Sequence, residues 1–182
     1  KTADRPYLFT QNRQPDTDYL IIPRVSPSTR KYIPIGFLPP TVISSDSVVL
    51  VYNATLVDFG IICSNVHNAW MRIVAGRLKN DYRYAPSVYY NFPFPKLTEE
   101  SKLKIEKTAQ AILEARKIYP NNSLADMYGE EMYLFPELLK AHRENDKAVM
   151  EAYGFDWKHM TESECVAELM KMYKDLVAEG KE

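Results

Sequence analysis

Between His67 and Pro95 the chain reads HNAWMRIVAGRLKNDYRYAPSVYYNFPFP. Arg72, Arg77, Lys79 and Arg83 stand here among Trp70, Tyr82, Tyr84, Tyr89 and Tyr90, and Asp81 is the one carboxylate in the run. Cations neutralise phosphates, while aromatic rings and guanidinium planes stack on bases or sugars. Interleaved residues of these types suit a nucleic-acid surface. A second polar stretch, Arg24-Val-Ser-Pro-Ser-Thr-Arg-Lys31, offers Arg24, Ser26, Arg30 and Lys31 as a phosphate loop. Ser44, Ser45 and Asp46 suit either a base edge or a turn cap.

These groups need elements to hold them. Tyr19–Ile22, Tyr32–Leu38 and Val48–Tyr52 have the apolar, β-branched character of short strands, with prolines at strand ends. From Leu56 to Ala75 the spacing turns helical, with a break near Ser64–Asn65. Val66, Ala69, Trp70, Ile73 and Val74 then fall on one apolar face, and Asn65, Asn68 and Arg72 on another. Asn pairs bidentately with adenine and Arg with guanine, each discriminating by about 1–3 kcal/mol, so this second face is a candidate base reader. The alternative is the solvated side of an amphipathic helix. Gly76 is expected at the helix C-cap, Ser87–Asn91 as a strand, and Phe92-Pro-Phe-Pro95 as an extended exit. Trp70 is expected in the core, and His67, His142 and His159 receive no catalytic role.

The second half is helical. Thr98, Ser123 and Thr161 are N-caps, the last with Glu164 completing a capping box. Pro136 opens a helix running toward Tyr153, and Gly154 ends it. The last helix spans about Glu162 to Ala178. The expected class is α+β: a small mixed sheet with a recognition helix, followed by an α-helical C-terminal bundle.

Charge divides at the same place. The chain has 182 residues and a net charge of −1, yet residues 1–97 carry 11 Lys and Arg against 6 Asp and no Glu. Residues 98–182 carry 12 Lys and Arg against 18 acids. The expected domains are therefore 1–97, suited to a polyanion, and 98–182, unsuited to one. A hydrophobic share of 46% excludes wholesale disorder. Cys63 and Cys165 lie outside any CxxC or Cys/His cluster, which fits free thiols in a reducing, cytoplasmic compartment and no metal site. No signal peptide or membrane-spanning run is present, so no membrane partner is expected. The first residue is Lys, as in an excised or processed piece.

Several phrases, in order, resemble the C-terminal part of MmeI-like restriction–modification proteins and related large adenine DNA methyltransferases. They are Tyr19-Leu-Ile-Ile-Pro-Arg24, Arg30-Lys-Tyr-Ile-Pro-Ile-Gly-Phe-Leu38, Ser45-Asp46, His67-Asn-Ala-Trp70, Gly76-Arg-Leu-Lys79, Asp81-Tyr-Arg-Tyr84 and Tyr90-Asn-Phe-Pro-Phe-Pro95. Leu124-Ala-Asp-Met-Tyr128, Pro136-Glu-Leu138 and Ala152-Tyr-Gly-Phe155 extend the likeness through the helical half. The resemblance implies a target-recognition domain over 1–97 and a helical tail over 98–182. It implies double-stranded DNA as partner, and a catalytic methyltransferase domain of the same parent chain that binds S-adenosylmethionine.

This chain lacks the family's catalytic signature. Asn91-Phe-Pro-Phe94 imitates the Asn-Pro-Pro-aromatic motif, but Phe92 stands where proline belongs, and no glycine-bearing cofactor loop follows a strand. Pro15-Asp16 and Glu100-Ser-Lys102 lie too far apart to count as a nuclease motif. The expected function is sequence-specific DNA recognition within a larger adenine-N6 methyltransferase, fused or not to a nuclease, with no catalytic residue in this chain. The expected DNA contacts are Arg24, Ser26, Arg30, Lys31, Asn65, Asn68, Arg72, Arg77, Lys79, Arg83 and Tyr84. The competing expectation is a scaffolding module whose acidic helices mediate assembly. A DNA reader gathers its cations on one face, whereas a scaffold can scatter them.

Overall fold

The computed structural model describes residues 14–180, so residues 1–13 of the front segment lie outside it. In chain order, its elements are β1 (Tyr19–Pro23), β2 (Val25–Ser26), β3 (Gly36–Leu38), β4 (Val48–Val51), α1 (Leu56–Ile62), α2 (Asn65–Val74), β5 (Gly76–Leu78), β6 (Asp81–Arg83) and α3 (Pro86–Tyr90). Then follow α4 (Glu99–Lys117), α5 (Leu124–Met127), a single 3₁₀ turn (Met132–Leu134), α6 (Pro136–Ala152) and α7 (Glu162–Ala178).

The class is α+β, with the strands in two antiparallel sheets rather than one mixed sheet, ordered β3-β1-β4 and β2-β6-β5. One run of chain feeds both. Pro23 has no N–H to continue a ladder, and Arg24 forms the bend between β1 and β2. The Arg24 N–H donates to Ser47 O at 2.8 Å on one side, and its carbonyl accepts the Tyr84 N–H at 2.8 Å on the other. Arg24 is thus the hinge point of the two sheets.

Other expectations shift for local reasons. Only Gly36–Leu38 of the Tyr32–Leu38 run pairs as strand. Pro34 interrupts the donors, and the buried Ile33–Ile35 turn closes on itself through Ile35 N–H to Ile33 O at 2.9 Å. The strand expected at Ser87–Asn91 is helix α3, because Pro86 sits at its first turn, where a fixed φ suits a helix start. Ala75, in extended conformation, caps α2, so Gly76 opens β5 rather than closing the helix. The break at Ser64 is present, and its hydroxyl accepts the His67 N–H.

One core runs through both halves. The Gly60 backbone in α1 lies so close to α4 that a Cβ there would sit 2.6 Å from Ile105 and 3.2 Å from Ala109. α2 packs against α7, and α4 against α6. Burying apolar surface on this shared scale is the main force joining the halves.

Candidate nucleic-acid interface

The β2-β6-β5 ribbon carries the aromatic and cationic tract. Its register sets Ser26 and Arg77 beside Tyr82, and Val25 and Gly76 beside Arg83. Directly paired residues share a face, so Arg77 and Arg83 point to opposite faces. Tyr82 is buried, and the Arg77 guanidinium lies 3.8 Å from its ring centre. Arg77 also donates to Asn80 O at 3.2 Å, which fixes the guanidinium plane. The hairpin turns at Lys79-Asn80, with Lys79 at φ 55°. A lysine there costs on the order of 1 kcal/mol relative to glycine, and the turn leaves its side chain exposed at the tip.

Beside the ribbon lies a groove of about 510 Å³ lined by Arg24, Ser44, Ser45, Asp46, Tyr52, Pro86 and Tyr90, among others. Arg24 donates through Nε to Val48 O at 3.2 Å, and Ser45 and Ser47 share a 2.5 Å hydroxyl contact. Tyr90 is 78% exposed. A guanidinium, a carboxylate and hydroxyls thus share one groove with two tyrosines. Among the described residues, none of Arg24, Arg30, Lys31, Arg77, Lys79 and Arg83 forms an ion pair. Their charge remains available to a polyanion.

The remaining sequence candidates lie inside. Ser26 is 3% exposed, and Tyr84 is buried with its hydroxyl 2.9 Å from His67 Nε2. Burial drives the His67 imidazole down to about 3, so it stays neutral. The Asn65/Asn68/Arg72 face, expected to be outward, turns to the helical half. Asn68 is 2% exposed and donates to Lys31 O at 3.4 Å. Asn65 donates through Nδ2 to Met150 Sδ at 3.3 Å. Arg72 pairs with Glu162 at 2.6 Å and donates to Lys31 O at 3.4 Å. Ile73 and Val74, expected inward, are exposed instead. The reason is tertiary: α6, the start of α7 and the Lys31 loop meet the side of α2 that its own periodicity marks as polar, so three polar side chains become brackets for other segments. Trp70 lies in the core as expected, donating to Val88 O at 3.0 Å beside Phe92 and Tyr173.

The groove-forming Asp46 and the exposed Tyr52 and Tyr90 were weakly marked in the sequence. Their signal was a carboxylate after two serines, a tyrosine closing an apolar strand and a second in an aromatic run, but only the fold brings residues 24, 46, 52 and 90 together.

Among the described glycines, the tightest approach is at Gly60, where Ile105, Ala109 and Asn145 fill the space in front of the backbone. In Asn91-Phe-Pro-Phe94, Phe92 is buried and meets the half-buried Phe94 edge to face at 5.0 Å, and Phe94 borders a cleft of about 400 Å³ with Lys96 and Tyr153. Among the described residues, no group of three His, Cys, Asp or Glu is placed to hold a metal ion. No described helix is long and apolar enough to cross a membrane.

The family model for the MmeI target recognition domain matches residues 1–96, and the model for the MmeI C-terminal domain matches residues 97–179. DNA methyltransferase A of Bacillus subtilis (strain 168) is 33% identical over 177 residues, covering 97% of this chain and 20% of that protein. A solved structure of the Type IIL restriction-modification enzyme MmeI in complex with DNA superposes with a TM-score of 0.90 at 44% identity, covering 97% of this chain and 24% of the other. The chain therefore spans between a fifth and a quarter of the length of these relatives. On matches that run through both halves in the same order, the chain belongs to the MmeI family, as its target recognition domain joined to its C-terminal domain.

Proposed function

We propose that this chain is the DNA-reading part of a larger adenine-N6 DNA methyltransferase of the restriction–modification type. The carrying observation is the set of exposed cations without carboxylate partners on the ribbon and its groove. Arg77 and Arg83 grip phosphates from opposite faces of the hairpin and Lys79 from its tip, as a ribbon seated in the major groove allows, aided by Arg30 and Lys31 on the neighbouring loop. Arg24 and Asp46 face base edges from the same groove. A guanidinium matches the O6 and N7 acceptors of guanine, and a carboxylate matches the N4 donor of cytosine, so the two together suit one G·C pair in the major groove. Asn65, Asn68, Arg72, Ser26 and Tyr84 support these readers from within. Support also comes from the likeness to a structure described as a complex with DNA.

In this reading, residues 1–97 read the duplex and residues 98–182 brace them. The adenine is extruded into a catalytic domain elsewhere in the protein, where S-adenosylmethionine supplies the methyl group. No residue of this chain takes part in that chemistry. Buried thiols at Cys63 and Cys165 suit the reducing cytoplasm.

A salt titration tests this reading. Each phosphate contact contributes about −0.9 to the slope of log affinity against log salt, so four or five cations give a slope of about −4. Arg77→Ala, Lys79→Ala and Arg83→Ala should each flatten it by about 1 unit, whereas Arg24→Ala should cost discrimination at one base pair. Absence of duplex binding at low salt, or a slope unmoved in the triple variant, refutes the assignment.

A further inference from the structure

Three polar side chains of α6 leave their own bundle and engage the front half. His142 stacks under Tyr32 with ring centres 4.2 Å apart. Asn145 donates to Gly60 O at 2.7 Å. Asp146 accepts the Tyr32 hydroxyl at 2.5 Å and the Asn65 N–H at 2.8 Å. The Asn65 N–H belongs to the first turn of α2, where no carbonyl of the helix can take it, and a carboxylate there also meets the positive end of the helix dipole.

Tyr32 closes the loop that carries the half-buried Arg30 and the exposed Lys31. This loop leaves the sheet junction at Arg24 and passes Arg30 and Lys31. Its inner side is then fastened at Lys31 O by Asn68 and Arg72, at the Tyr32 hydroxyl by Asp146, and at Ile35 O by Arg116 at 2.8 Å. Asp146 alone among these side chains reaches both the loop and α2 from the helical half.

This carboxylate is poorly suited to a purely stabilising role. Burial pushes it up to about 6, overcoming the Tyr32 and Asn65 hydrogen bonds and the more distant Lys31 charge that pull it down. It has no Lys or Arg within ion-pairing distance among the described residues. At neutral pH it is thus a buried anion held by two neutral donors, an arrangement that costs stability relative to an uncharged group of equal shape.

We propose that Asp146 is a positioning residue for DNA reading: from the helical half, it holds Tyr32 and the start of α2 so that Arg24, Arg30 and Lys31 meet the duplex in fixed register. This rests on the reading of the chain as a DNA-recognition module. Asp146 touches no DNA in this scheme. Its effect falls on discrimination between sequences, whereas the phosphate grip, which needs only charge, persists.

The experiment uses the intact protein and a random pool of 20-bp duplexes, from which the wild type selects its preferred sequence. The measured quantity is the ratio of affinity for the selected duplex to affinity for the unselected pool. Asp146→Ala should lower that ratio about tenfold with pool affinity nearly unchanged, the scale of remote positioning effects. Asp146→Asn keeps an acceptor for the Asn65 N–H and a polar partner for Tyr32, so it should recover most of the ratio without lowering the melting temperature. Tyr32→Phe keeps the stack on His142 and gives a smaller loss, which preserves the test if the alanine variant fails to fold. An unchanged ratio in Asp146→Ala, or in Tyr32→Phe where the alanine variant is unfolded, overturns the proposal. So does a parallel fall of ratio, pool affinity and melting temperature, which marks a merely structural residue. If the wild type enriches no sequence at all, the underlying DNA reading fails and takes the proposal with it.

Discussion

Arg77 spreads its guanidinium over the Tyr82 ring, while Arg72, five residues earlier, closes on Glu162. Both are arginines in the same tract, and their difference comes from what faces them. A guanidinium on an aromatic face keeps its charge for a ligand, whereas one on a carboxylate has spent it. The buried titratable groups follow a related logic and set a pH response. Burial holds His67 at about 3 and His142 well below its ordinary value, with repulsion from Arg116 and Lys31 adding to the latter. The unfolded chain binds protons on both near pH 6.5 and the folded chain does not, so stability is full above that value and is lost as pH falls through it. Asp146 acts in the opposite sense: its raised carboxyl keeps a proton in the folded chain up to about 6 that the unfolded chain has released. Unfolding free energy is therefore expected to drop from pH 6 to pH 5, and to drop more steeply in Asp146→Asn, where the opposing group is gone. Urea melts at the two pH values measure this; equal slopes in both proteins would contradict it.

Helix ends were the most legible elements, because their signals are local. Thr98, Ser123 and Thr161 each cap a helix, and Gly154, with φ +74°, ends α6. Helix faces were less legible. The inward side of α2 is decided by α6 and α7, whose residues lie roughly eighty or more positions away, and no periodicity within α2 encodes them. For α3, the aromatic and β-branched run suggested a strand, but Pro86 outweighs it by suiting the first turn of a helix. Gly60 shows how tightly elements from the two halves meet. An added methyl would press on Ile105 at 2.6 Å and on the Asn145 amide oxygen at 3.0 Å. Gly60→Ala is expected to destabilise the chain by about 1–3 kcal/mol through overpacking, despite alanine's better helix propensity. Thermal unfolding checks this, and a neutral or raised melting temperature would show that α1 and α4 can part without cost.

The charge split at residue 97 is visible from composition. It does not mark a boundary in packing. α1 and α2, from the basic half, are walled by α4, α6 and α7 from the acidic half, and buried residues of both form one cluster. Polar contacts cross as well, from Arg72 to Glu162, Arg116 to Ile35 and Asn145 to Gly60. The candidate site was legible in kind, as cations among aromatics, and only partly in identity. Arg24, Arg77, Lys79 and Arg83 lie on the surface, whereas Asn68, Ser26 and Tyr84 needed the fold to reveal them as supports.

A core that ignores the charge boundary has a bearing on how new sequence preferences arise in this family. Shuffling between relatives by a crossover at residue 97 would graft one protein's α1 and α2 onto foreign helices. Such hybrids should melt several degrees lower or precipitate, while hybrids exchanging residues 14–180 as an undivided cassette should stay soluble. Inheritance of a new target is thus best served by transplanting the whole unit, or by retouching only the rim residues that the interior does not feel.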